Sequence, residues 1–184
     1  DTFIIAAGVD HASGETITGG AGDDTIIFTS TSTDTLTLDA TTADEDNMIF
    51  AKISDAAGVA TGTSNGSIDA SALAGNLAVT LTGNAGNNTL TGTAFADTIT
   101  GGAGNDTIAV AATTEGNSDV MTGGTGDDTL ELTGISHTFA NDDNLATIEN
   151  ITLQTDATTL TLTGQTEDFT ITTADGNNTV ITGS

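Results

Sequence analysis

Cysteine, proline, tryptophan and tyrosine are absent from this 184-residue chain, and Lys52 is its single basic side chain. Without cysteine there are no disulfides and no thiolate metal sites. Without arginine, and with one lysine, the chain cannot neutralise a phosphate backbone, so nucleic acid is excluded as a partner. The same deficit disfavours adsorption to anionic lipid. No run of about 18 apolar residues occurs, so no membrane insertion is expected. A basic segment followed by an apolar stretch, the mark of a classical signal peptide, is also missing. Aromatics make up 3% of the residues, so any core is thin and built from aliphatic side chains. Missing proline argues against a disordered linker.

What the chain has is acid, threonine and glycine. Twenty-six Asp and Glu against one Lys give a net charge of −25. Such a chain repels itself unless cations are bound. Threonine fills 41 positions, which favours strands over helices.

The glycines and acids are periodic. "GGAGNDTIA" at 101–109 follows "GNAGNNTLT" at 83–91 and "GTAFADTIT" at 92–100 without a gap. "GGTGDDTLE" at 123–131 and "GGAGDDTII" at 19–27 repeat the full pattern. Weaker copies stand at 10–18, 74–82, 114–122 and 173–181, and residues 110–113 interrupt the frame. Six residues rich in Gly, Asn and Asp predict a turn, because Gly and Asn tolerate positive φ. The next three predict a short strand whose middle side chain faces inward. Two such units close one coil. Stacked coils then bury Ile17, Ile26, Leu81, Leu90, Ile99, Ile108, Met121, Leu130 and Val180.

Turns stacked at about 4.8 Å bring carboxylates and carbonyls into columns of oxygen. Ca²⁺ takes six to eight oxygens and tolerates irregular geometry, whereas Mg²⁺ wants a rigid octahedron and zinc wants His or Cys. Calcium is therefore the expected cofactor.

The tandem G-G-x-G-x-D-x-U-x units resemble those of the RTX (repeats-in-toxin) proteins, which bacterial type I systems secrete. The resemblance is strong over 10–27 and 83–131 and weaker over 140–184; residues 28–73 carry no clear repeat. It implies an all-β fold, a right-handed parallel β-roll (β-solenoid) with calcium-binding turns, interrupted by longer strands and loops. Residues 1–184 then form one roll segment of a longer chain, since both termini fall inside the repeat pattern. Its parts are a repeat set at 1–27, an irregular block at 28–73, the main set at 74–131, and longer strands with a final repeat at 132–184. Carried over unit by unit, the motif makes Asp24, Asp97, Asp106, Asp119 and Asp128 the acid ligands. It makes Gly20, Gly22, Gly102, Gly104, Gly124 and Gly126 the carbonyl donors. Asp97 shares an edge with Asp119, and Asp106 with Asp128, but the insertion at 110–113 loosens both pairings. Asn88 and Asn178 stand where an acid is expected and bind calcium more weakly or only cap a turn.

Other segments are read from pattern alone. Alternation predicts longer strands at 34–39, 76–82, 148–153, 158–163 and 169–172, and short helices at 69–74 and 142–148. Segment 43–62 is expected to cross as a loop or short helix. Acid clusters at 44–47 and 141–144 lack the EF-hand spacing and are expected to be solvated loops. "GTSNG" at 62–66 fits the nucleophile elbow G-x-S-x-G in letters only, because no convincing strand precedes it. His11 and His137 have no zinc partners. No catalytic constellation is expected. The resemblance implies a secreted, extracellular, cell-surface structural protein, most like a bacterial S-layer protein. Its partners would be further copies in a lattice or filament, and a cell-surface polysaccharide. An adhesin, or the non-catalytic tail of a secreted hydrolase or toxin, is the alternative.

Overall fold

The computed structural model describes residues 1–6, 17, 22–29, 31–39, 49–55, 57–73, 77–111, 119–156, 158–174 and 176–183. Their strands wind into a parallel β-solenoid of about six turns. One seven-stranded sheet stacks β1 (Thr2–Ile5), β2 (Asp24–Phe28), β4 (Ile49–Ile53), β6 (Val79–Thr82), β8 (Thr98–Ala103), β10 (Val120–Thr125) and β13 (Leu145–Ala146) in that order. The opposite sheet runs from β3 (Thr35–Asp39) through β5 (Ser67–Ala72), β7 (Thr89–Thr91), β9 (Thr107–Ala111), β11 (Thr129–Thr133) and β14 (Asn150–Leu153) to β16 (Thr170–Thr173). A third sheet, β12 (Ser136–Thr138), β15 (Thr159–Leu162) and β17 (Thr179–Thr182), opens a further side.

Each strand follows from its Thr-apolar-Thr core. The β-branched flanks suit a pleated surface, and the middle residue turns inward. Register keeps these inward residues in columns: Leu81 lies beside Ile99 and Ile99 beside Met121. On the other sheet Leu90 meets Ile108, which meets Leu130. All six are fully buried. Ile17 is only partly buried but packs on the same core. Val180 corrects the expectation: it is 38% exposed, because β17 is the outer strand of the short third sheet and no described strand lies beyond it.

Three expectations about the irregular stretches are also overturned. Residues 67–72 form β5 and not a helix, since Ile68 and Ala70 alternate inward with period two. Within 43–62, residues 49–53 form β4 for the same reason, with Ala51 and Ile53 buried and Phe50 and Lys52 only partly so. At 142–148 only Asp142–Asn144 turn helically, as a single 3-10 turn, before β13 begins. The block 28–73 thus contributes three stacked strands, and Phe28, Leu36 and Ile53 are among its largest buried side chains. The turns at 83–88 and 92–97 have the expected six residues, while those at 101–106 and 123–128 are shorter. β8 and β10 continue through the paired glycines to Ala103 and Thr125.

Candidate metal centre

Asp97, Asp106, Asp119 and Asp128 each sit one residue before a strand, Asp24 is the first residue of its own, and register stacks the acids over their counterparts. Ahead of the first sheet, Asp97 Oδ1 accepts from the Val79 amide at 2.9 Å, and Asp119 Oδ1 from the Asp97 amide at 2.9 Å. Ahead of the second, Asp106 Oδ1 accepts from the Asn88 amide at 2.8 Å and Asp128 Oδ1 from the Asp106 amide at 2.7 Å. Glu149 continues that column, its Oε2 taking the Asp128 amide at 2.8 Å. Asp24 Oδ1 instead accepts from the Asp1 ammonium. The interruption at 110–113 does not break the columns: partners 18 residues apart below it become partners 22 apart across it, and in the first sheet's column both bonds are 2.9 Å.

The second carboxylate oxygens differ. Oδ2 of Asp24, Asp106 and Asp128 is buried and has no hydrogen-bond partner among the described residues. A buried carboxylate oxygen without a donor is costly unless something electropositive meets it. Backbone oxygens converge on the same places. A Cβ placed on Gly101 would lie 2.4 Å from Asp106 Oδ2 and 2.6 Å from the Gly123 carbonyl oxygen. One placed on Gly123 would lie 2.5 Å from Asp128 Oδ2 and 2.1 Å from the Thr147 carbonyl oxygen. Gly101 and Gly123 thus each leave open a space faced by the carboxylate of their own unit and a carbonyl of the next coil. Among the described residues no three His, Asp or Glu converge, so carboxylates alone do not complete the shell of an ion there. Hard oxygen donors of mixed carboxylate and carbonyl type fit Ca²⁺ and not zinc.

Burial, with the nearby Asp128 charge adding to it, pushes the Asp106 carboxyl up to about 6. Asp119 is pushed up to about 6 by burial, with Asp97 adding to the rise. Asp97 and Asp128 move upward from the same first cause. Protons and cations therefore compete for the same oxygens.

Asp97 is the odd member. Its Oδ2 accepts from the Thr93 amide at 2.7 Å, and its Oδ1 from the Thr93 hydroxyl at 2.9 Å as well as from Val79. Gly102, Gly104, Gly124 and Gly126 hold φ between 102° and 144° and pack on the preceding coil. A Cβ on Gly124 would come within 1.8 Å of the Gly102 oxygen. Gly22 has φ 119° but faces open space, and Gly20 lies outside the described residues.

Sequence reasoning missed Gly101, Gly123, the Thr147 carbonyl and Glu149. The first glycine of the motif was a legible signal; Glu149, in no glycine frame, left none. It also missed a second ladder beside the acids. Asn65 Oδ1 accepts from the Asn87 amide, Asn87 Oδ1 from Asn105, and Asn105 Oδ1 from Asp127, at 2.9–3.1 Å. Asp142 spends its Oδ1 on the amide and hydroxyl of Thr166, both at 2.8 Å, and the cluster at 44–47 falls outside the described residues. Ser64 of "GTSNG" lines a cavity of about 550 Å³ with Thr29, Ser54, Asp55 and Asn84. Strand β5, not a helix, follows it, and its hydroxyl accepts from Asn84 Nδ2 at 2.9 Å, so it is no nucleophile elbow.

The chain matches the RTX calcium-binding nonapeptide repeat, in four copies, over residues 12–28, 82–112 and 113–132. No curated protein and no solved structure matches it.

Proposed function

From a chain that carries RTX repeats, and so belongs with secreted proteins that bind Ca²⁺, we infer a non-catalytic extracellular structural module. It is a segment of a bacterial S-layer or similar surface assembly whose roll is completed by calcium after type I secretion. The observation that carries this reading is the pair of partnerless buried oxygens, Asp106 Oδ2 and Asp128 Oδ2, each facing a carbonyl of the next coil. Asp106 with the Gly123 carbonyl, and Asp128 with the Thr147 carbonyl, hold the ions we propose. Asp24 and Asp119 are further ligands, and Gly102, Gly104, Gly124 and Gly126 add carbonyls from the stacked turns. Calcium supplies the charge neutralisation that these columns lack, and its binding free energy becomes folding free energy. Extracellular sites of this kind bind at about 10⁻⁴–10⁻³ M, above cytosolic calcium, so the chain stays open until it is outside.

Structural duty is favoured over catalysis by how the polar side chains are spent. The acids and amides of the turns cap backbone amides of their own ladder. Among the described residues no helix is long and apolar enough to cross a membrane. Titrating calcium into chelated protein is expected to raise the strand signal in circular dichroism cooperatively. An unchanged spectrum at millimolar calcium would sink the reading. Negative-stain electron microscopy at the same calcium is expected to show sheets or filaments. Particles that stay strictly monomeric would remove the assembly role and leave the calcium module.

A further inference from the structure

The partnerless oxygens are not spread evenly along the roll. Asp24 on β2 carries one and Asp106 and Asp128 carry two more, yet between them residues 77–97 have none. The reason lies in three substitutions within the repeat. Asn88 stands at the acid position. Its Oδ1 takes the Asn84 amide at 2.7 Å. Its Nδ2 donates to the carbonyls of Ser64 and Gly66, each at 3.1 Å. Those carbonyls belong to the preceding coil, paired with this one through Ser67–Thr89 and Ile68–Leu90. Asn84 stands at the second glycine position. Its Oδ1 accepts from the Gly86 amide at 2.7 Å and its Nδ2 reaches Ser64 Oγ at 2.9 Å. On the opposite edge Thr93 replaces a glycine, and its amide and hydroxyl fill both oxygens of Asp97.

An amide NH₂ and a cation do the same job here, which is to answer oxygens. Asn88 carries its own electropositive group and needs no ion to answer two carbonyls. The acids of the coil before behave alike: Asp55 Oδ1 takes the Ala57 and Val59 amides at 2.9 Å, and Asp69 Oδ1 the Ser71 amide at 3.0 Å. We propose that strands β4 to β7 form a calcium-independent block. In it, the Asn88 amide and the Thr93 hydroxyl replace the cation, so the calcium sites are interrupted after Asp24 and resume only at Asp106. The block is the template on which the calcium-dependent coils β8 to β11 are laid. This rests on the calcium reading above and adds to it where the ions stop.

Hydrogen exchange on the whole chain, with excess chelator and then with millimolar calcium, tests it. Without calcium, peptides from β4–β7 are expected to stay protected while those from β9–β11 exchange freely. Calcium then protects β9–β11. Loss of protection at β4–β7 together with β9–β11 would overturn the block and leave the calcium reading intact. No response of β9–β11 to calcium would overturn both. Two substitutions read the chemistry directly. Asn88→Asp is expected to bind one more Ca²⁺ per chain by calorimetry and to lose the calcium-free protection of β7. Asp106→Asn is expected to bind one fewer and to gain calcium-free protection at β9. It keeps the proposal testable if Asn88→Asp does not fold. Unchanged stoichiometry in the folded variants would overturn the exchange of amide for cation.

Discussion

Asp106 and Asp119 hold their protons more tightly in the folded roll than free carboxyls do, at about 6 for each. A carboxyl raised in this way favours the folded state at low pH. The advantage is complete below the ordinary value of 3.8 and is lost as pH rises through about 6. His137 works the other way. Its ring is buried in the apolar position of β12, Nε2 donates to the Thr133 carbonyl at 3.0 Å, and Nδ1 has no partner among the described residues. Burial lowers its basicity from the ordinary 6.5, so its contribution is present above that pH and is lost as pH falls through the folded value. Without calcium, the melting temperature is therefore expected to rise between pH 7.5 and 5, and to rise further in His137→Leu. With calcium the trend inverts, because protons displace the ion and apparent affinity drops below pH 6. Thermal melts at the two pH values, with and without chelator, check all three. A chelated protein that melts earlier at pH 5 than at 7.5 in His137→Leu would contradict the carboxylate argument.

The turn is the element that discriminates most sharply between similar residues. Gly22 and Gly124 have nearly the same φ, 119° and 120°. Only Gly124 packs on a neighbouring coil, with a Cβ position 1.8 Å from the Gly102 oxygen. Gly22→Ala is expected to cost only the backbone strain, about 1 kcal/mol, while Gly124→Ala costs that plus a clash no side chain can relieve, more than about 3 kcal/mol. Denaturant unfolding at saturating calcium measures the difference, and equal losses would count against stacking through the glycines. The strands of the glycine units were legible in the sequence. A nine-residue period fixes which residue turns inward, and Leu81, Leu90, Ile99, Ile108, Met121 and Leu130 all do. β3, β4 and β5 were less legible. Their partners lie 25 to 32 residues away, in Ile26–Ala51, Leu81–Ala51 and Leu36–Ile68, so no single period connects them. Val180 kept its place in the period but lost its burial, since burial depends on a neighbouring strand that the period does not supply. The orphaned oxygens were legible as acids. The amide of Asn88 was read only as a weaker ligand, because its Ser64 and Gly66 partners lie in a stretch without repeats.

Over the whole molecule, a net charge of −25 opposes compaction. Sodium chloride screens that repulsion, with a Debye length of about 8 Å at 0.15 M, but it cannot fill a site that takes six to eight oxygens. Raising sodium chloride to about 0.5 M in chelator is expected to restore only part of the strand signal that millimolar calcium restores. Full recovery in salt alone would make the effect one of general screening. The change of cross-section along the axis adds to this picture: two sheets carry the acidic turns, and the third begins only at Ser136.

The rung from Asp97 to Asp119 spans 22 residues and the neighbouring rung from Val79 to Asp97 spans 18, yet both close at 2.9 Å. The roll counts rungs and not residues. Insertions and deletions at such a corner are invisible to the stack so long as the next acid finds the amide below it. A gene built from this unit can therefore lengthen, shorten or decorate its corners by unequal recombination without losing its frame. Diversity should gather at the edges between carboxylates, while the spacing from each acid to its inward apolar residue stays fixed at two.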